Sequence, residues 1–247
     1  MSVDARGRVT STDRRSTGRR GSVKASPSAL LFGLERSVYT RIARLALEEK
    51  GVPYTLREVE IFGPDGVPDD HLDRHPFGRI PVLRHGDFTL YETSAITRYV
   101  DEAFSGPDLQ PPDSRARARM TQVIGLLDAY AYRPMVWGVF VERVIRPMEG
   151  SESDEREIRV SLEATVTCLG ALATLLGSAP FFAGDGFSLA DLHAYPMFRY
   201  LSLAPEGKAL LEGYREILRW YEAMRLRRSI SRTATVYELE GEPKPRV

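Results

Sequence analysis

Cysteine is almost absent from this 247-residue chain: Cys168 stands alone. One thiol excludes an intramolecular disulfide framework and any cluster built on several cysteine ligands. An excess charge of one sign is also lacking, since 34 Lys and Arg are matched by 34 Asp and Glu. Without a positive field there is little to neutralise many phosphates or to hold the chain on an anionic membrane, so neither nucleic acid nor membrane is expected as a partner. No apolar run is read as approaching the roughly 20 residues of a bilayer span, and the chain reads as soluble and cytoplasmic. Glycine-rich phosphate loops and internal repeats are missing too. The four histidines, at 71, 75, 85 and 193, are not read as a metal-ligand set, and no metal is expected.

Large apolar residues are scarce in residues 1–26, where Ser, Arg, Gly and Thr dominate and Arg14-Arg15 and Arg19-Arg20 form basic pairs. Such a segment gains too little burial to offset its ordering entropy and reads as a disordered basic extension. A transit peptide is the alternative, but Asp4 and Asp13 interrupt the charge and no amphipathic helix is apparent.

What is present begins at Ala29, where a short apolar run ends in Gly33 and predicts a buried strand entering a tight turn. From Ser37 the period becomes helical, through Val38, Ile42, Leu45 and Ala46. Gly51 falls where a helix C′ glycine belongs, and Pro53 blocks continuation. Residues 54–61 are rich in β-formers and predict a second strand; residues 62–78 read as loop with one short helix. The runs 80–83 and 88–91, around Gly86, predict a hairpin, and Ile96, Tyr99, Val100 and Phe104 mark an amphipathic helix.

The order β-α-β then β-β-α is that of a thioredoxin-like half, assigned to residues 27–105. A proline-rich linker (106–111) follows, then an all-helical bundle over 112–232 of four or five helices, and a tail from 233 to 247. Interruptions are expected at Pro134, at residues 147–150, 177–180 and 205–207. Ser188 with Asp191 three residues on, flanked by Phe187 and Leu192, predicts a capping box with a hydrophobic staple. Cys168 reads as part of a buried helix face with Val166, Leu169, Ala173 and Leu176, packed and inert.

The run His75-Pro76-Phe77-Gly78-Arg79-Ile80-Pro81-Val82-Leu83, followed by Leu90-Tyr91-Glu92-Thr93-Ser94-Ala95-Ile96, resembles the signature of glutathione transferases. Segments 45–54, 187–196 and 220–233 carry the resemblance from about residue 29 to 233, with details closest to phi and theta-like bacterial members. The resemblance implies an enzyme that uses glutathione as co-substrate, with no tightly bound cofactor, on a small apolar electrophile, and a homodimer. It implies a cis bond before Pro81, so that Ile80 pairs its main chain with the cysteinyl part of glutathione. Glu92 and Thr93 match the pair that holds the γ-glutamyl end. Arg79 stands where a glycyl carboxylate is met, or is a solvated arginine.

Ser37 matches the family's catalytic serine; read without the family it is simply a helix N-cap. Tyr39 is the rival hydroxyl, placed instead with Leu34, Tyr132, Met135, Val136 and Phe140 as candidates for the electrophile pocket. Phi-type members carry a histidine early in the loop after the second strand. Here that stretch is Phe62-Gly63-Pro64-Asp65-Gly66-Val67, which weakens the expected glutathione site. The alternative reading is a transferase-shaped binding or scaffold protein without turnover, or an enzyme for another thiol.

Overall fold

The computed structural model describes residues 29–239; the extension at residues 1–26 and the end of the tail, 240–247, lie outside the described residues. Strand β1 (Ala29–Phe32) feeds helix α1 (Val38–Lys50), which Ser37 caps and which Gly51 ends in the left-handed region at φ 67°. That conformation is strained for any residue with a Cβ, which explains the glycine. Strand β2 (Tyr54–Arg57) stops four residues earlier than its composition predicts, because the chain leaves the sheet at Glu58 for the loop that follows. The short helix α2 (Asp69–Leu72) comes next, then β3 (Val82–His85), two residues later than predicted, β4 (Phe88–Tyr91) and α3 (Thr93–Ala103).

The sheet order is β2-β1-β3-β4, with β1 and β2 parallel and the other pairs antiparallel. This is the thioredoxin-like arrangement. Ala29 and Leu31 enter the main core with α1 and α3, whereas Phe32, Val59, Ile80 and Val82 form a second apolar cluster.

The linker is stitched rather than loose. Asp101 accepts from Leu109 N at 2.8 Å and from Lys50 Nζ at 3.0 Å, and Lys50 also reaches the carbonyl of Pro107. Beyond it α4 (Ser114–Leu126), capped by Asp113, continues without a break through π-helical turns at Leu127–Ala131 and Arg133–Ile145 into α5 (Arg146–Met148). The interruption expected at Pro134 therefore does not occur. Proline removes a helical donor and crowds the preceding turn, and wider turns accommodate it. The carbonyl of Tyr130, four residues before Pro134, accepts instead from Cys168 Sγ at 3.4 Å. Cys168 thus has a polar partner beyond its packing role, and burial pushes its thiol up, keeping the proton it donates.

Helix α6 (Glu155–Leu176) corrects the reading of apolar runs, since by length and composition it suffices to cross a membrane. It packs as a bundle helix, burying Ile158, Thr165, Cys168, Leu169, Leu172 and Leu176. The chain then forms α7 (Leu189–Leu201), α8 (Pro205–Glu212), α9 (Arg215–Arg225), α10 (Arg228–Arg232) and α11 (Val236–Leu239). The final helix expected through Thr233 is thus divided near Arg227, and more helices form than the four or five predicted.

At the start of α7, Asp191 accepts from Ser188 N and Ser188 Oγ, both at 2.9 Å, from Phe182 N at 3.1 Å and from Trp220 Nε1 at 2.8 Å. Burial pushes this carboxyl up, but four donors around two oxygens fit the ionised form. Phe187 meets the ring of Phe181 and the guanidinium of Arg227.

The segment after Thr233 is folded onto the body. Thr233 and Thr235 are fully buried, and Glu238 forms an ion pair with Arg41 of α1 and another with Arg199 of α7. The two halves share one core, further joined by Thr97 to His193 and by Glu49 to Arg227.

Candidate active site

Local sequence places Ser37 at the turn between β1 and α1. Its main-chain N–H bonds to Leu34 O at 3.0 Å, and its Oγ accepts from Thr40 N at 3.4 Å, a long bond. No described residue accepts the Ser37 hydroxyl proton. The first turn of α1 holds no acidic side chain, so its positive end is not offset locally. Gly33 is required just upstream, because a Cβ there would run into the Thr40 side chain.

Ser37 lies on the wall of a cleft of about 290 Å³ between the halves, lined by Leu34, Val38, Phe62, Tyr132, Val136, Trp137, Phe140, Tyr200 and Tyr237 among others. Of the residues nominated for the electrophile, Leu34, Tyr132, Val136 and Phe140 line it. Met135 does not: it is fully buried in the core, one position around the helix from Val136. Tyr39 is not in the lining either; its ring packs on Tyr132 at 4.6 Å.

Burial and the Asp128 carboxylate push the Tyr39 hydroxyl up. Burial likewise pushes Asp128 up to about 6, opposed by its hydrogen bond from Tyr39, although part of the residue reaches solvent. Both effects leave Tyr39 protonated at neutral pH, with its hydroxyl proton committed to Asp128, whereas that of Ser37 has no acceptor among the described residues.

Sequence reasoning missed Phe62, Trp137, Tyr200 and Tyr237. Phe62, in the loop that lacks the histidine, meets Trp137 edge-on at 5.9 Å, and Tyr237 packs on Phe140 and Tyr200. No local pattern signals contacts between segments so far apart. Tyr200 also donates its hydroxyl to Arg36 O, bracing the turn that carries Ser37, while Arg36 pairs with Glu60 at 2.6 Å.

The Ile80–Pro81 bond is cis. Among the described residues nothing hydrogen-bonds the main-chain N–H or C=O of Ile80, which leaves both open to a ligand. His71 Nε2 bonds the adjacent Arg79 carbonyl at 2.8 Å. His75 lies four residues after His71, but its Nδ1 accepts from Phe77 N and its ring packs on Tyr91. Burial holds His75 below its ordinary value, so at neutral pH it is an uncharged brace. Glu92 sits at φ 69° before α3 and Thr93 is buried at the helix start, while Arg79 is exposed. A non-glycine residue in that region is held against its preference, a condition that gathers at ligand-binding turns.

A family model described as the glutathione S-transferase N-terminal domain matches residues 31–108, and one for the C-terminal domain of the same family matches residues 140–223. Glutathione S-transferase 4 of Zea mays is 30% identical over 221 residues, spanning 89% of this chain and 98% of its own. The chain belongs to the glutathione S-transferase family.

Glutathione S-transferase F14 of Arabidopsis thaliana is 32% identical over 190 residues, 75% of this chain and 74% of its own. Among solved structures, glutathione S-transferase III in apo form superposes with a TM-score of 0.77 at 26% identity, covering 87% of this chain and 100% of that one. Glutathione S-transferase I bound with lactoylglutathione gives 0.74 at 26% identity, covering 85% and 99%. The phi side of the resemblance is matched by these plant relatives. Its bacterial side rests on a glutathione S-transferase from Rhodospirillum rubrum, 24% identical with a TM-score of 0.72 over 88% of this chain and 94% of that one, which shows the fold alone. In this glutathione S-transferase, then, the Ser37 hydroxyl proton and the Ile80 main chain are without partners among the described residues, and the Glu92–Thr93 turn carries a positive φ.

Proposed function

We propose that this enzyme binds glutathione along Ile80, Pro81, Glu92 and Thr93, with Arg79 at the glycyl end, and holds its thiol as thiolate at Ser37. The thiolate then attacks a small apolar electrophile seated in the aromatic cleft. The observation that carries the reading is the uncommitted Ser37 hydroxyl proton at the N-terminus of α1, on the wall of that cleft.

Magnitudes agree. A cysteine-type thiol titrates near 8.5, and lowering it by about two units requires about 2.7 kcal/mol in favour of the anion. A hydrogen bond to a charged acceptor supplies about 1.5–3 kcal/mol and a helix terminus about 0.3–1, so Ser37 and α1 together are sufficient. No tightly bound cofactor takes part. A homodimer belongs to the same proposal: Phe77 and Tyr130, 71% and 69% exposed in the single chain, are apolar surface that such an assembly would cover.

The test compares wild type with Ser37→Ala by calorimetry with glutathione and by conjugation of an aryl halide. Retained binding with turnover lower by about tenfold or more supports the reading. Failure of the wild type to bind millimolar glutathione refutes it in favour of another thiol or a non-catalytic role.

A further inference from the structure

Ser37 closes a turn that begins at Leu34, since its main-chain N–H bonds the Leu34 carbonyl at 3.0 Å. The other end of the same peptide unit, the Arg36 carbonyl, takes the Tyr200 hydroxyl at 2.5 Å, and among the described residues no other donor meets it. A peptide unit is planar and stiff, so pinning it at both ends fixes the plane from which the Ser37 side chain departs. The remaining ties of this turn are looser: Arg36 to Glu60, with side chains 41% and 45% exposed, and Glu35 to Arg44 at 3.6 Å. Exposed pairs of that kind hold a geometry weakly. Tyr200 is the opposite case. It is 2% exposed, its ring stacks on Phe140 at 4.4 Å and meets Tyr237 edge-on at 6.0 Å, and it reaches the turn from α7, 164 residues away.

We propose that Tyr200 is a positioning residue for thiolate formation: by holding the Arg36–Ser37 peptide it keeps the Ser37 hydroxyl aimed at the glutathione sulfur, so that the acidity of the bound thiol depends on a side chain of the helical half. The Tyr200 proton is committed to Arg36 O, so the residue acts through Ser37 and on neither substrate directly. Thr235 Oγ1, at 3.3 Å, is a longer second acceptor whose own proton goes to Glu238. Burial pushes the Tyr200 hydroxyl up, which keeps it a donor throughout the working pH range. When that bond is lost the turn regains freedom, and a hydrogen bond from serine to sulfur, which weakens steeply with misalignment, forms for only part of the time. The charged or titratable groups facing the turn and cleft are Arg36 with Glu58 and Glu60, the Glu35–Arg44 pair, Glu149, Tyr132 and Tyr237, with Arg41 and Glu238 behind Tyr200. All of them remain when only the Tyr200 hydroxyl is removed, so a midpoint that moves on its removal reports the thiol.

This inference rests on the reading of Ser37 as the thiolate donor, and its test separates the two. Full-length wild type, Ser37→Ala, Tyr200→Phe and Thr235→Val are saturated with glutathione, and the ultraviolet absorbance of the bound thiolate is titrated between about pH 5 and 9, a range that brackets a lowered thiol. The kcat for an aryl halide is followed over the same range. Tyr200→Phe, which keeps the stacked ring, is expected to move the thiolate midpoint up by about one unit and to lower kcat about tenfold at the acid end, the loss shrinking as pH rises. Ser37→Ala should move the midpoint at least as far. Thr235→Val, which leaves the bond from Tyr200 to Arg36 O in place, should titrate near wild type. A merely structural role for Tyr200 would lower kcat by the same factor at every pH. A wild-type midpoint in Tyr200→Phe, or a shift equalled by Thr235→Val, overturns the positioning role, and a shift in Ser37→Ala then leaves the Ser37 reading standing. Ser37→Ala titrating as wild type overturns both.

Discussion

Glu238→Gln removes one charge and almost no volume from a buried ion cluster. Glu238 Oε1 pairs with Arg41 Nη1 and accepts from Thr235 N and Oγ1 at 3.2 and 3.1 Å; Oε2 takes Arg41 Nη2 and Arg199 Nε, each at 3.1 Å. The Arg41 side chain is 0% exposed and that of Glu238 is 7% exposed. Solvent therefore cannot replace the lost carboxylate. Gln offers one carbonyl acceptor and turns an amide donor toward the remaining donors; beyond that acceptor Arg41 would keep only long bonds to Thr233 Oγ1 and Ile230 O, both 3.4 Å, and the face of Tyr195.

Breaking a buried pair from one side typically costs about 3–5 kcal/mol, because the remaining ion stays desolvated. For a body of this size that corresponds to a fall in Tm of roughly 6–20 °C. Urea unfolding and a thermal scan measure it, with Arg98→Ala as control: the Arg98–Glu102 pair is 68% and 53% exposed and should matter little. Adding Arg41→Met to Glu238→Gln should restore part of the loss, since the stranded guanidinium is then gone. Because Tyr237 precedes Glu238 and lines the cleft, KM for the electrophile should rise in Glu238→Gln while glutathione affinity holds. A Glu238→Gln protein within about 1 kcal/mol of wild type would refute the argument, placing the cluster with ordinary surface pairs.

Acid sensitivity should trace partly to His193. Thr97 donates to Ser94 O and accepts from His193 Nε2, while Nδ1 is buried without a partner, and burial holds the ring down to about 3. The unfolded chain binds this proton near pH 6.5 and the folded one only near 3, so stability falls as pH drops through that window, by up to about 1.4 kcal/mol per unit. Unfolding in urea between pH 7 and 4 should show a shallower slope in His193→Gln; an unchanged slope excludes the histidine. Asp191→Ala strands the donors of Trp220, Phe182 and Ser188, each worth about 1–3 kcal/mol when left unpaired, and should give a strongly destabilised or insoluble protein. Asp191→Asn, which keeps an acceptor, should recover more of the soluble yield. Thr93→Ala should raise KM for glutathione with little change in kcat, measured at saturating electrophile; the opposite split would move Thr93 from binding to chemistry.

Signals confined to a few neighbouring residues are legible in the sequence itself. Ser37 and Gly51 mark the ends of α1, Gly86 the hairpin, Ser188 with Asp191 the start of α7, and the motif around Pro81 and Glu92 the family. The cap and turn signals rest on backbone preference or on hydrogen bonds that span at most four residues, which local sequence is enough to specify; the motif is read by its resemblance. Tertiary structure decided the rest. Arg41 meets Glu238 from 197 residues away. Phe62 reaches Trp137 across the domain boundary, and Tyr237 returns from the C-terminal end to close the cleft. Pro134 reads locally as a break, but wider turns and a buried thiol at Cys168 accommodate it, and that same helical geometry faces Val136 to the cleft and Met135 to the core. A local pattern encodes conformation, whereas which distant surfaces share a buried site depends on how the whole chain packs.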